Sequence, residues 1–204
     1  MEVSQDKRGE WFAIYHEAMP LITQRLAEAL RRLSLPTAVE LCPWGAFWFL
    51  RNCQQLADMA NREGMHANAM AITRQCLEAM SIVELGLSGV AGSEEMLEKW
   101  NHADESPGSI RKWLERHVWH RYGGGLWLEP WAEFMGKLCR AVQPYAHYSG
   151  SLALWQTRMH SLVDKGDDRA LEVVMEFGPC VYDPQKAVRI TLYHALLGFA
   201  LGRL

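Results

Sequence analysis

Apolar side chains recur every three to four residues along nearly every long stretch of this chain, and no stretch alternates apolar and polar residues between turn signals. That spacing gathers apolar residues on one flank of a helix, because a helix turns once in about 3.6 residues whereas a strand repeats every two. The expected class is therefore all-α, a single up-and-down style bundle of about eight helices over residues 1–204. With 204 residues, of which 49% are hydrophobic and 22% charged, the chain can bury a sizeable core.

A first helix is predicted from about Ser4 to Leu33, with Trp11, Ile14, Leu21, Ile22, Leu26 and Leu30 on or near one face, and Pro20, whose nitrogen has no proton to donate, is expected to bend it or split it in two. Pro36 and Pro43 punctuate the connection that follows, and a second helix is expected from about Trp44 to Arg62. The third, roughly His66 to Leu87, carries Met70, Ile72, Cys76, Leu77, Met80, Val83 and Leu85 around much of its circumference, which places it at the centre of the bundle. Ser93 and Ser109 read as caps of two shorter helices. Pro130 opens another, Pro144 begins one over about residues 145–163, and a short one passes through Leu171, Val174 and Met175. The last starts with Asp183 as cap and Pro184 in its first turn. Residues 87–130 read as an insertion or lid, and five of the nine Trp fall between Trp100 and Trp131.

Several function classes recede on chemical grounds. A formal net charge of −3 does not suit a broadly cationic nucleic-acid binder, which needs clustered Lys and Arg to displace counterions. The five Cys are odd in number and too far apart in sequence for a paired metal or redox motif, so they are expected reduced and mostly buried. Eight His form no pair at the four-residue interval of a zinc site with Glu between, so neither metal nor cofactor is expected. No serine sits in a nucleophile elbow. Gly123 to Gly125 lacks the Lys and Ser/Thr of a phosphate loop and reads as a plain loop. The amino terminus is polar and the apolar tail after Ile190 is too short to span a bilayer, so a cytoplasmic protein without membrane association is expected.

Arg74 and Glu78 lie one helical turn apart on the third helix, which otherwise reads as buried. A charge pair inside a bundle is costly unless its members satisfy each other or face a polar cavity. Two readings follow: an internal ion pair that fixes helix register, or a polar site in the bundle centre.

With this pair on a central helix and a downstream Tyr145-Ala-His147-Tyr148-Ser149, the chain resembles the HEPN superfamily, particularly its abortive-infection-like branches, over about residues 44–87 and 131–163. The resemblance implies a metal-independent ribonuclease or RNA-binding component of bacterial defence, acting as a homodimer. Catalytic members carry Arg followed by His after four to six residues; the imidazole moves a proton while the guanidinium neutralises the phosphate. Arg111 with His117, Arg140 with His147, and Arg189 with His194 fit that spacing. Eight His and three allowed offsets predict about 1.7 such pairs by chance, so spacing alone does not choose among them. Arg189–His194 sits in the final helix, as the family pair does, although Ile190 replaces the usual polar residue. Arg140–His147 lies in the best-matching stretch, although Ala141 and Pro144 depart from the pattern.

The candidate catalytic residues are thus Arg140, His147, Arg189 and His194, with Arg74, Glu78 and Tyr148 as a polar core or ligand site. Two rivals stand beside the ribonuclease: a non-catalytic helical interaction module, and a bundle binding a small ligand through Arg74, Glu78 and His147. The Trp-rich stretch can stack bases, fill core or form a dimer contact.

Overall fold

A computed structural model describes residues 3–35, 37–164, 171–178 and 180–204; Pro36 lies outside the described residues. Its helices are α1 (Val3–Leu30), α2 (Thr37–Arg62), α3 (His66–Leu87), α4 (Ser93–Asn101), α5 (Pro107–His117), α6 (Trp131–Val142), the single-turn α7 (Gly150–Ala153) and α8 (Pro184–Leu201). They form an all-α bundle of eight helices around α3, to which is added a two-stranded antiparallel hairpin of β1 (Thr157–Asp164) and β2 (Leu171–Phe177).

The centrality of α3 follows from its sequence: sixteen of its 22 residues are buried, and α2, α4, α5, α6 and α8 all pack against it. Its apolar side chains join Phe47 and Leu50 of α2, Ile110 and Leu114 of α5, and Leu197 and Leu201 of α8 in one core. Between α6 and α8, Trp131, Phe134 and Phe199 stack with centroids 5.1 to 6.1 Å apart, and Tyr122 lies 5.5 Å from Trp131.

A buried polar network ties the turn between α2 and α3 to the start of α8. His66 Nδ1 lies 3.0 Å from Asn61 Oδ1, His66 Nε2 accepts from the Asp183 N–H at 2.9 Å, and Asn61 Nδ2 donates to the Ala187 carbonyl at 3.1 Å. Asp183 caps α8 as its sequence position predicts, accepting from the N–H groups of Gln185 and Lys186. Gly64 (φ +78°) closes the turn within a space that no side chain could share, since a Cβ there would come within 2.8 Å of the Tyr182 nitrogen.

The departures from the sequence expectation have identifiable physical causes. The second helix begins at Thr37, seven residues earlier, and carries Pro43 inside it. Pro43 packs where a Cβ on Gly86 of α3 would lie 2.6 Å from its own Cβ, so ring-to-backbone packing offsets the hydrogen bond that proline forfeits. The cap of α5 is Ser106 rather than Ser109: Ser106 Oγ accepts from the Ser109 N–H, and Pro107 occupies the first turn.

The largest departure is the hairpin, where helices were expected over residues 145–163 and through Leu171 to Met175. Only a 3-10 turn at Gln143–Tyr145, α7 and a second 3-10 turn at Leu154–Gln156 precede β1, and the β-branched Val173 and Val174 sit in β2. Cross-strand pairing with residues 157–164 stabilises an extended form that periodicity within either segment does not reveal.

Residues 87–130, expected as an insertion or lid, supply core. Leu97, Ile110, Leu114, Val118 and Trp119 are buried there, and only the tip Leu126–Trp127–Leu128 presents large apolar side chains to solvent.

Candidate functional site

The candidate site is a polar seam between α3, α5 and α6. Arg74 is only 5% exposed, because the apolar circumference of α3 buries whatever that face carries. Its Nη2 contacts Glu78 Oε1 at 2.8 Å, one turn along the same helix, while the Glu78 side chain remains partly open to solvent. That single bond leaves Arg74 Nε and Nη1 buried without a hydrogen-bond partner in the protein.

From α5, Arg111 reaches toward the same place. Its Nη1 is also buried and unpartnered, and it lies against the Cys139 thiol of α6. Burial lowers the affinity of Arg74 for its proton; Glu78 opposes that change and the like charge of Arg111 adds to it. Burial also raises the Cys139 thiol, against the pull of both guanidinium groups, which disfavours a thiolate. Two cations therefore share a largely buried seam with one ion-paired carboxylate.

Farther along α3, Glu84 is 1% exposed and faces Trp119 and Tyr122. Burial pushes its carboxyl up to about 7, even though the Trp119 indole and the Tyr122 hydroxyl favour the ionised form. The Trp119 N–H comes near without making a well-formed bond, and Glu84 Oε1 is likewise unpartnered. Tyr122 in turn holds its proton more tightly, through burial and the neighbouring carboxyl.

The seam opens at Glu78 onto a cleft of about 620 Å³. Its floor is Gln75, Glu78, Ala79 and Ile82 of α3, and its walls are Gly45 and Phe49 of α2, Trp100 of α4 and Pro107 of α5. Pro107 and Arg111 are one turn apart on α5, so the cleft and the seam share a helix on both sides. A mostly apolar cleft of this size with a few polar groups at one edge has the character of a small-molecule site.

The expected Arg–His pairs fare differently. Arg189 is exposed; its guanidinium lies 5.5 Å from the Trp155 ring centroid and its Nε donates to Tyr193 Oη at 3.4 Å. His194 is buried on the opposite side of α8, with Nε2 2.8 Å from Thr73 Oγ1, so these two residues do not converge in a cleft. Thr73 donates its own proton to the Ala69 carbonyl, which leaves the neutral ring to donate from Nε2. Burial pulls the His194 imidazole down to about 4, against the attraction of Asp58. Such a ring is neutral near pH 7 and serves packing.

Arg140 and His147 are both on the surface, and Arg140 folds back over Gly136 of its own helix. His117 stacks on Trp113 at 4.8 Å on the exposed side of α5, while Arg111 turns inward. Tyr148 is 78% exposed and does not join the polar core, since the chain leaves the bundle after the buried Tyr145.

Of the sequence candidates, then, Arg74 and Glu78 are brought together. Arg111 was paired in sequence with the wrong partner, and Glu84 was missed, although a lone carboxylate in the run Ile82-Val83-Glu84-Leu85 of a buried helix is itself the signal. No helix among the described residues is long and apolar enough to cross a membrane. No group of three or more His, Cys, Asp and Glu among them is placed to hold a metal ion. No protein-family model, curated protein or solved structure matches the chain.

Proposed function

We propose that this protein is a ligand-binding helical bundle whose ligand is a small organic acid. The observation that carries the reading is the set of three buried guanidinium nitrogens, two on Arg74 and one on Arg111, that find no acceptor in the protein. Leaving donors of that kind unmet costs about 1–3 kcal/mol apiece, more when charged, and a carboxylate or phosphate oxygen is the group that recovers it. The acid's apolar body lies in the cleft against Phe49, Ile82 and Trp100, a hydroxyl or amine on it donates to Glu78, and its anionic group enters past Glu78 toward Arg74 and Arg111, which sit behind the cleft lining and must open to receive it.

This reading favours binding over RNA cleavage. Phosphodiester cleavage needs an imidazole and a guanidinium within reach of one phosphate. Arg189 with the buried His194 and the inward Arg111 with the outward His117 do not offer that, and the surface pair Arg140 and His147, with Arg140 laid back over Gly136, is the one an RNA-cleavage assay decides.

Calorimetric titration of the full chain with a panel of aromatic and aliphatic carboxylates and phosphate monoesters tests it. Saturable, salt-sensitive binding of at least one acid is expected, weakened about 100-fold or more in Arg74→Met and Arg111→Met and retained in part in Arg111→Lys. Absence of saturable binding across the panel, or binding untouched by both methionine variants, overturns the assignment. An RNA-cleavage assay run beside it is expected to be blank for the parent and for His147→Ala and His194→Ala.

A further inference from the structure

The outer face of α2 is apolar where a solvent-facing helix should be charged. Of the eight exposed positions between residues 41 and 59, five are large and apolar, Leu41, Trp48, Phe49, Leu56 and Met59, and none of the others is charged. Leu41 is 73% exposed and Trp48 58%. Their spacing follows a single stripe along the helix, opposite the face that buries Phe47, Leu50 and Cys53 in the core. Loss of charge together with Trp, Phe and Met marks the centre of protein interfaces.

Gly45 adds an independent observation. It sits in the interior of α2 on this same face, where glycine costs about 1 kcal/mol relative to alanine, yet a Cβ built there meets nothing within 4 Å. Nothing inside the protomer requires glycine at that position. A second helix lying across the face does, because a missing Cβ lets two backbones approach.

We infer that α2 forms a twofold interface with α2 of a second copy of this chain. The occupant follows from area and charge. Five side chains of this size expose on the order of 600 Å², at the upper end of what a monomer leaves uncovered. Doubled across a twofold axis, that reaches about 1,200 Å², the lower bound for a stable dimer. An antiparallel arrangement sets Leu41 of one copy against Met59 of the other and brings Trp48 and Phe49 to the middle. It also sets Glu40, in the first turn of α2, near Arg62 of the other copy, which within its own protomer pairs with Asp58 at 2.8 Å. A stripe whose exposed positions carry no charge does not repel a second copy of itself, and a twofold axis lays the same apolar residues on both sides. Because Gly45 and Phe49 also line the cleft, the second copy closes one wall of it.

Sedimentation of the full chain between about 1 and about 100 µM tests the inference. A dimer is expected, with its dissociation constant raised at least about 30-fold in Trp48→Glu and in Met59→Glu while the far-ultraviolet circular dichroism is unchanged. Gly45→Ala weakens it less, by a few fold, with no loss of protomer stability. Leu162→Glu, on the exposed hairpin, leaves it intact. A monomer throughout that range, a dimer as tight in both α2 variants, or one dissolved by Leu162→Glu overturns the proposal.

Discussion

The two sides of α3 solve the same problem differently. Toward α8 the buried imidazoles and hydroxyl are partnered, His66 with Asn61 and Asp183 and Thr73 with His194 and the Ala69 carbonyl, and one oxygen of Asp58 beside them is unmet. Toward α5 and α6, Arg74 and Glu84 lie as deep, Arg111 is half-buried, and all three keep buried atoms unmet. A satisfied buried network specifies a packing, whereas a partly satisfied one carries a cost that only a further molecule removes. The contrast separates residues held for architecture from those held for binding, although both sets are polar, buried and on one helix.

Substitutions on the two sides should therefore diverge, and the largest stability effect belongs to the satisfied side. His66→Ala strips the acceptor from the Asp183 N–H and the partner from Asn61, and is expected to cost about 3 kcal/mol in urea melts without altering ligand affinity. A smaller loss, or a loss of binding alone, would break the comparison.

The two titrating groups come next, with opposite signs. Glu84 is raised in the fold from 4.5 to about 7, so its contribution is full below pH 4.5 and lost as pH rises through 7, by about 3 kcal/mol. Glu84→Gln should remove that decline and make the variant the more stable protein at pH 8. His194 is lowered from 6.5 to about 4, so its contribution is full above pH 6.5 and lost as pH falls through 4, again by about 3 kcal/mol. Between pH 4.5 and 6.5 the two slopes oppose, and a flat stability profile is expected there from equilibrium melts, with each variant exposing the slope of the other group.

Smaller still is the effect of Arg74→Met on the unliganded fold, expected within about 1 kcal/mol of the parent or slightly stabilising, since it removes a buried charge together with its unmet donors. A loss of several kcal/mol would move Arg74 into the architectural set. Lys99→Ala, which breaks a solvent-exposed pair with Glu95 on α4, should leave the melting temperature unchanged.

How much of this was legible in sequence depends on whether the cause is local. The bounds of α3 and the start of α8 were, because apolar circumference and the Asp183-Pro184 cap act within a few residues. The hairpin was not, because strand pairing joins segments whose own periodicity stays mixed. Within the site, the Arg74–Glu78 pair was legible from a single helical turn. Arg111 was not, because its neighbour in space, Cys139, lies on a different helix and its neighbour in sequence, His117, faces away. Proximity in sequence also suggested Arg189 with His194, but five positions along a helix place two side chains on different faces.

The contact between Pro43 and Gly86 joins these features mechanically. With the proline ring seated where a side chain would otherwise stand, α2 comes closer to α3 at this point than any residue but glycine at position 86 would allow. The outward stripe of α2 and the inward seam of α3 are thus held on two helices in close contact at one point. A side chain added at Gly86 would meet the Pro43 ring at 2.6 Å and push the helix that carries the outward stripe away from the core.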